Sequence, residues 1–196
     1  MSLPKKCILC ALVGFSIFTQ NKLVAQSETE PKAEIFRAKN LLFAEFLFPS
    51  INYSVNYGRI FHQKEKLKIS GGAGFTFLYQ SANEPIHQGY WVPVYLAEIS
   101  AFYGKSKHNL ELGIGYYMYR QKIFSFDEDF PQNIKEESYW GKTIIPRIGY
   151  RYQKPEGGLF FRVGYTPTIG FGSLDETAEK VNFIPFGAGI SLGLSF

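Results

Sequence analysis

The stretch that decides the fold lies at the C-terminal side of the chain and reads Phe186-Gly-Ala-Gly-Ile-Ser-Leu-Gly-Leu-Ser-Phe196. Its apolar side chains recur at every second position, and the positions between them hold only glycine and serine. Successive side chains of a β-strand point to opposite faces, so this alternation predicts a strand with one apolar face and one face of small or polar residues.

Seven earlier segments show the same alternation. Most are about as long as the 9 to 11 tilted residues of a membrane-crossing strand, and longer than the five or six that are usual in soluble sheets. With the C-terminal strand they predict an all-β fold, an eight-stranded antiparallel up-and-down transmembrane β-barrel over residues 40–196. The seven segments are residues 41–48, 51–61, 67–79, 91–104, 110–120, 143–153 and 159–170.

The connections between these strands alternate in length. Those at residues 62–66, 105–109 and 154–157 are short, whereas residues 80–90, 121–142 and 171–184 form longer ones. Membrane barrels have short periplasmic turns and longer external loops. We therefore expect residues 121–142, the longest connection, to form a mobile external loop.

Charged residues within the strands indicate which face points inward. An Arg side chain that faces lipid at mid-depth costs about 2 to 4 kcal/mol, so such positions must face the lumen. Residues of opposite charge at matched depth should pair, which predicts a central cluster of four side chains and a separate lower pair of Glu111 with Arg151. The predicted lumen charge network consists of Glu45, Glu98, Glu111, Arg147, Arg151 and Arg162.

The composition excludes several classes of protein. Of the 196 residues, 45% are hydrophobic and 17% aromatic, so one domain can bury enough apolar surface to offset its ordering entropy. Residues 7–18 form the longest apolar run, which is too short for a membrane-spanning helix of about 20 residues. Because Lys5 and Lys6 precede this run and Ala25 ends the polar stretch after it, residues 1–25 are predicted to be a secretory signal peptide rather than a buried helix of the mature fold.

Removal of this signal would change the charge and the cysteine content. Of the 21 Lys and Arg residues, Lys5, Lys6 and Lys22 would be lost, which leaves 18 against 17 Asp and Glu. No basic surface would then favour nucleic acid. Both cysteines, Cys7 and Cys10, would also be lost, which excludes disulfides and cysteine metal sites. Residues 26–39 are polar, contain Pro31 and are predicted to be a flexible lead-in.

Several segments resemble a known family. They are Ile51-Asn-Tyr-Ser-Val-Asn-Tyr57, Leu110-Glu-Leu-Gly-Ile-Gly115, Ile148-Gly-Tyr-Arg-Tyr-Gln153, Gly157-Gly-Leu-Phe-Phe-Arg-Val-Gly-Tyr-Thr-Pro167 and the final Phe196. Over residues 40–196 the chain resembles the small outer-membrane β-barrel proteins of Bacteroidota, which mostly lack an assigned activity, and in shape the eight-stranded OmpA/OmpX kind. The resemblance implies a location in the outer membrane of a Gram-negative cell. It also implies that the barrel-assembly machinery recognises Phe196 as an assembly signal.

The residues give no strong indication of catalysis. Interior carboxylates could act as a general acid and base, but paired ions filling a narrow barrel explain them better. His62, His87 and His108 lack metal-ligand spacing, and the glycines of residues 71–74 lie within a strand pattern rather than in a phosphate loop. We therefore predict no catalytic residues, no cofactor and no metal site, and not an enzyme.

The predicted external loop carries acidic and aromatic residues, among them Asp127, Glu128, Asp129 and Trp140. A solvated loop is the simplest interpretation. The alternative is a surface that binds an external partner, or a divalent cation bridging to lipopolysaccharide, because hard oxygen ligands and exposed aromatic side chains suit those roles.

Three classes of function are left open. The favoured one is an integral outer-membrane barrel with a structural or surface-interaction role, whose partners are outer-membrane lipid and lipopolysaccharide. The second is a narrow small-solute channel. The third is a secreted soluble barrel that binds an apolar ligand, as lipocalins do, which would require the apolar face of each strand to point inward.

Overall fold

The computed structural model describes residues 32–48, 52–83, 88–126, 134–172 and 180–196. The predicted signal peptide and residues 26–31 of the predicted lead-in lie outside them. Across the described ranges, no helix has the length and hydropathy needed to span a membrane.

Within the described residues, all the regular structure is β-strand. Long runs of alternating apolar and small or polar residues form the strands, and two-to-four-residue turns join them at one end. The strands are β1 (Asn40–Phe48), β2 (Asn52–Lys64), β3 (Leu67–Gln80), β4 (Tyr90–Tyr103), β5 (His108–Phe126), β6 (Ile134–Gln153), β7 (Gly158–Tyr165), β8 (Thr168–Gly172), β9 (Lys180–Ile184) and β10 (Ala188–Ser195).

The sheet is antiparallel and closes on itself. Its closed ring runs β1-β2-β3-β4-β5-β6-β7-β10, and β10 pairs with β1 so that Leu42 lies opposite Leu194. Strand β8 continues the register of β7 along β6, since Ile148 pairs with Tyr165 and Ile144 with Ile169. Pro167, which lacks an N–H, lies between the two halves. These pairings confirm the predicted eight-stranded up-and-down barrel.

The two ends of the barrel differ. At the turn end, short connections join β2 to β3, β4 to β5 and β6 to β7, and Glu65 adopts a positive φ of 50° in the first of them. A two-residue hairpin turn needs such a backbone conformation, which matches the right-handed twist of the strands. The opposite end, from which the β5–β6 hairpin extends, is called the hairpin end.

The prediction that residues 121–142 form a loop is wrong for most of that segment. Strands β5 and β6 stay paired from Gln121 opposite Tyr139 to Phe126 opposite Ile134. Lys122 forms an ion pair of 2.5 Å with Glu136 across this extension. Solvent contacts both faces here, so the alternation that would have predicted a strand is lost. Residues 180–184, also predicted as loop, form β9.

The N-terminal segment, residues 32–39, is not the flexible lead-in that the sequence predicted. The Glu34 N–H donates to the Lys105 carbonyl at 2.8 Å, and the Ala38 N–H to the Pro155 carbonyl at 3.0 Å. Phe36 is completely buried, and its ring packs edge-on against the Phe102 ring with 6.0 Å between the ring centres. Because these contacts reach turns on different sides of the ring, the segment lies across the turn end.

The two faces of the sheet differ in chemistry. Outward side chains form an apolar belt whose residues named below are 37% to 54% exposed, whereas inward positions are mostly buried and many are polar or charged. This is the reverse of what a soluble, lipocalin-like barrel requires, so that alternative is wrong. The belt includes Leu42, Phe46, Phe48, Tyr95, Ile99, Leu112, Ile114, Tyr116, Ile148, Tyr150, Val163 and Tyr165.

Candidate functional site

Six charged side chains meet inside the barrel at mid-height, supplied by five strands. They occupy inward positions because each lies at an even spacing from other buried residues of its own strand. Five of the six are 5% exposed or less, and the Glu98 side chain is 21% exposed. The group, called the charge network below, consists of Glu45 on β1, Glu98 on β4, Glu111 on β5, Arg147 and Arg151 on β6, and Arg162 on β7.

Arg162 lies at the centre of the charge network. Its guanidinium donates to Glu45 at 2.9 Å and to Glu98 at 2.5 Å, and its Nη1 lies 3.5 Å from Glu111. Arg147 donates from Nη2 to Glu45, and the same atom lies 3.6 Å from Glu98. Each of these three carboxylates therefore contacts at least one arginine, which offsets the desolvation cost of burying them.

Arg151 and Glu111 form the part of the network nearest the turn end. The Arg151 guanidinium donates to Glu111 at 2.9 Å and to the Gln153 side-chain oxygen at 2.7 Å. Its central carbon lies 3.9 Å from the centre of the Phe102 ring, a distance typical of a cation–π contact. The sequence predicted this pair as separate from the upper four side chains, whereas Arg162 joins the two groups.

Uncharged side chains that the sequence did not predict also bind to the charge network, among them Tyr117 and Ser191. The Tyr117 hydroxyl donates to Glu45 at 3.1 Å, and Ser191 accepts from Arg162 and donates to Glu45, both at 3.1 Å. Their inward parity was the available signal, since Tyr117 shares it with Glu111 and Ser191 occupies a small-residue position of the C-terminal repeat. Tyr119 shares this parity too and packs inside the barrel against the hydrophobic cluster that contains Tyr117.

Close packing leaves little space beside the charge network. The void lined by Glu45, Glu98, Arg151 and Arg162 has a volume of about 20 Å³, which is room for about one water molecule. The barrel is therefore filled at mid-height. Its ions neutralise one another and are held by hydrogen bonds, an arrangement that fixes the strands around it.

A larger cavity, called the upper cup, lies between the charge network and the hairpin end. Its volume is about 300 Å³. Leu47, Val94 and Ile145 pack with Tyr117 around its lower part. Gln80 and Gln121 line it farther along their strands toward the hairpin end.

The other predicted site residues lie away from the charge network or outside the described residues. Trp140 lies on β6 opposite Arg120 and is 48% exposed, so it belongs to a strand and not to a loop. Asp127, Glu128 and Asp129 lie outside the described residues. Phe196 is 61% exposed, and its backbone exchanges two 2.9 Å hydrogen bonds with Asn40, next to the β1–β10 seam.

The β5–β6 extension carries its own polar contacts. The Tyr139 hydroxyl donates to the Gln121 side-chain oxygen at 2.9 Å. Burial, together with the nearby Tyr119 and Tyr90 rings, raises the pKa of Tyr139 above its ordinary value, so this phenol stays protonated at neutral pH.

The histidines do not form a metal site within the described part of the chain. No group of three or more His, Cys, Asp or Glu side chains there has a geometry that could hold a metal ion. His108 hydrogen-bonds through Nδ1 to the Tyr150 hydroxyl at 2.5 Å, on the exposed face near the turn end. His87 lies outside the described residues.

Comparison with known proteins finds distant structural similarity and no match in sequence. No protein-family model matches the chain, and no curated protein matches it. The N-terminal β-barrel domain of Pseudomonas aeruginosa OprF is 13% identical, with 81% of this chain and 96% of that one covered at a TM-score of 0.40. Ail, the attachment invasion locus protein of Yersinia pestis, is 11% identical, with 80% and 93% covered at a TM-score of 0.35.

Proposed function

We propose that the chain is an integral outer-membrane β-barrel with a structural or surface-interaction role. One observation carries the proposal, namely the combination of an apolar, aromatic-rich outer belt with a charged interior. Water does not stabilise an apolar belt of this extent, whereas the hydrocarbon of a bilayer does. The closed ring also pairs each of its eight strands with two neighbours, which suits a lipid environment.

The filled lumen supports a structural role over a conduit. A continuous pore needs open volume along the barrel axis, and the void beside the charge network has room for about one water molecule. The N-terminal segment adds a second obstruction, since Phe36 is fully buried at the turn end. A conduit would require both to move.

Contacts with lipid and lipopolysaccharide are part of the proposal. Three basic residues, Arg120, Lys122 and Lys142, stand at outward positions of β5 and β6, closer to the hairpin end than the belt residues Tyr116 and Ile148. Basic side chains at this level suit the phosphate groups of an outer leaflet. Binding of a further external partner at the tip of the hairpin stays a prediction.

The test is the behaviour of the purified protein in detergent. A folded membrane barrel needs detergent to stay in solution and migrates differently on a gel before and after boiling. We expect both properties. A monodisperse, detergent-free monomer with the same β-sheet content would contradict the proposal.

A further inference from the structure

The upper cup has the size and walls of a binding site for a small molecule. Its volume of about 300 Å³ is at the lower end of the range of roughly 300 to 1,000 Å³ that such sites occupy. Leu47, Val94 and Ile145 make its lower wall apolar, and Gln80 and Gln121 make its rim polar. The apolar lower wall suits the hydrocarbon part of a ligand.

The lower part of the cup also has unused hydrogen-bond donors. Thr166 lines the cup and is 2% exposed, and within the described residues its hydroxyl has no hydrogen-bond partner. The Nε and Nη1 atoms of Arg147, which is 5% exposed, likewise lack a partner in that part of the chain. Buried donors are almost always paired, so these three indicate an acceptor that the protein itself does not provide.

The unpaired Arg147 atom and Thr166 lie close together. A Cβ placed on Gly189 would be 2.8 Å from Arg147 Nη1, 3.0 Å from a Leu47 methyl and 3.1 Å from the Thr166 methyl. Both Leu47 and Thr166 line the cup. Arg147 Nη1 is therefore next to the cup wall, on its network side.

An anion at this position would complete the hydrogen bonding of Arg147. The Nη2 atom of Arg147 already donates to Glu45, whereas its Nε and Nη1 atoms have no acceptor among the described residues. A carboxylate presents two acceptor oxygens to such donors, and its hydrogen bonds with a guanidinium are charge-assisted.

We propose that the upper cup binds a medium-chain monocarboxylate. Its carboxylate accepts hydrogen bonds from Arg147 and Thr166, and its hydrocarbon chain lies against Leu47, Val94 and Ile145. The ligand enters from the hairpin end, because the charge network closes the other side of the cup. This ligand binding goes beyond the proposed structural role.

Equilibrium dialysis with isotope-labelled octanoate tests the proposal. The protein is placed in lipid nanodiscs, since detergent chains would compete for the cup, and empty nanodiscs of the same lipid give the background. We expect saturable binding of one octanoate per barrel, and clearly weaker binding of octanol, which lacks the anionic head. Absence of saturable binding above the empty discs, or equal binding of octanol, would overturn the proposal.

Variants locate the site. Ile145→Trp fills the cup and should abolish saturable binding, whereas Ile148→Trp, on the outward face of the same strand, should leave it unchanged. Thr166→Val should weaken binding about five-fold, the loss expected for one hydrogen bond. Each variant is first checked for the gel shift of a folded barrel, and Thr143→Trp replaces Ile145→Trp if that variant does not fold. Wild-type affinity in a folded, cup-filled variant would place the octanoate elsewhere and refute the inference.

Discussion

Replacing Arg162 with alanine should destabilise the barrel more than any other single change in the charge network. Arg162 contacts three carboxylates, those of Glu45, Glu98 and Glu111, and is 1% exposed. After its removal Glu45 keeps Arg147, but Glu98 keeps only the 3.6 Å contact with that arginine. Removing one partner of a buried ion pair lowers the free energy of unfolding by about 3 to 5 kcal/mol, and we expect the loss for Arg162→Ala to lie near the upper end of this range.

Arg147→Ala should cost less, because its partners keep other contacts. Glu45 retains Arg162, Ser191 and Tyr117, and Glu98 retains Arg162. We expect a loss of about 3 kcal/mol, the lower limit for a broken buried pair. With a urea dependence of about 1 to 3 kcal/mol per molar, this lowers the unfolding midpoint by about 1 to 3 M.

The assay is urea unfolding of the protein in lipid vesicles, followed by the loss of the gel shift. Lys135→Ala is the control, since Lys135 is an exposed residue of the β5–β6 extension, near the hairpin end of β6. Such surface changes usually stay within about 0.5 kcal/mol. If Arg162→Ala were as mild as Lys135→Ala, the interior would be hydrated. A mild Arg147→Ala that also raised single-channel conductance would make the charge network a gate and favour the channel.

Three further predictions address the ends and the seam of the barrel. Phe36→Ala should lower the free energy of unfolding by about 3 kcal/mol, as for other buried aromatic side chains, and free the N-terminal segment for proteolysis; unchanged protease resistance would argue against docking of that segment. Phe196→Ala should reduce the amount of folded protein in the outer membrane, whereas the more exposed Phe186→Ala should not, and equal yields would remove the assembly role. A cysteine that replaces Glu137, on the hairpin, should react with a membrane-impermeant maleimide on intact cells, whereas a cysteine that replaces Glu156, in a turn, should not react. The opposite result would mean that the turn end faces the outside of the cell.

The barrel itself could be predicted because its two faces contact different environments. In β10 the contrast between apolar and small side chains at alternate positions is complete, and the strand pairs with both β1 and β7. In the extension of β5 and β6 that contrast disappears, because both faces meet solvent. There the strands are held by cross-strand pairs such as Lys122 with Glu136, which no period in the sequence reveals.

The sequence predicted which residues belong to the charge network, but it did not predict all the contacts between them. Parity places each ion inward, yet which side chains meet depends on the stagger of strands around the ring. Arg162 on β7 reaches Glu111 on β5, two strands away around the ring, a contact that matching by depth along the sequence did not predict. The N-terminal segment docks through two buried apolar residues, Phe36 and Ala38. Two such residues in a mostly polar stretch do not form a period, so the sequence did not predict that the segment packs on the barrel.

Quenching of tryptophan fluorescence shows directly which face of a strand meets lipid. Trp91 and Trp140 are replaced by phenylalanine, and a single tryptophan is placed either at Ile114, outward and 49% exposed, or at Tyr117, inward and 8% exposed. The protein is then folded into vesicles whose lipids carry brominated acyl chains, which quench tryptophan on contact. We predict strong quenching of the tryptophan fluorescence in Ile114→Trp and little quenching in Tyr117→Trp. Equal quenching at both positions, or stronger quenching at the inward one, would contradict this prediction.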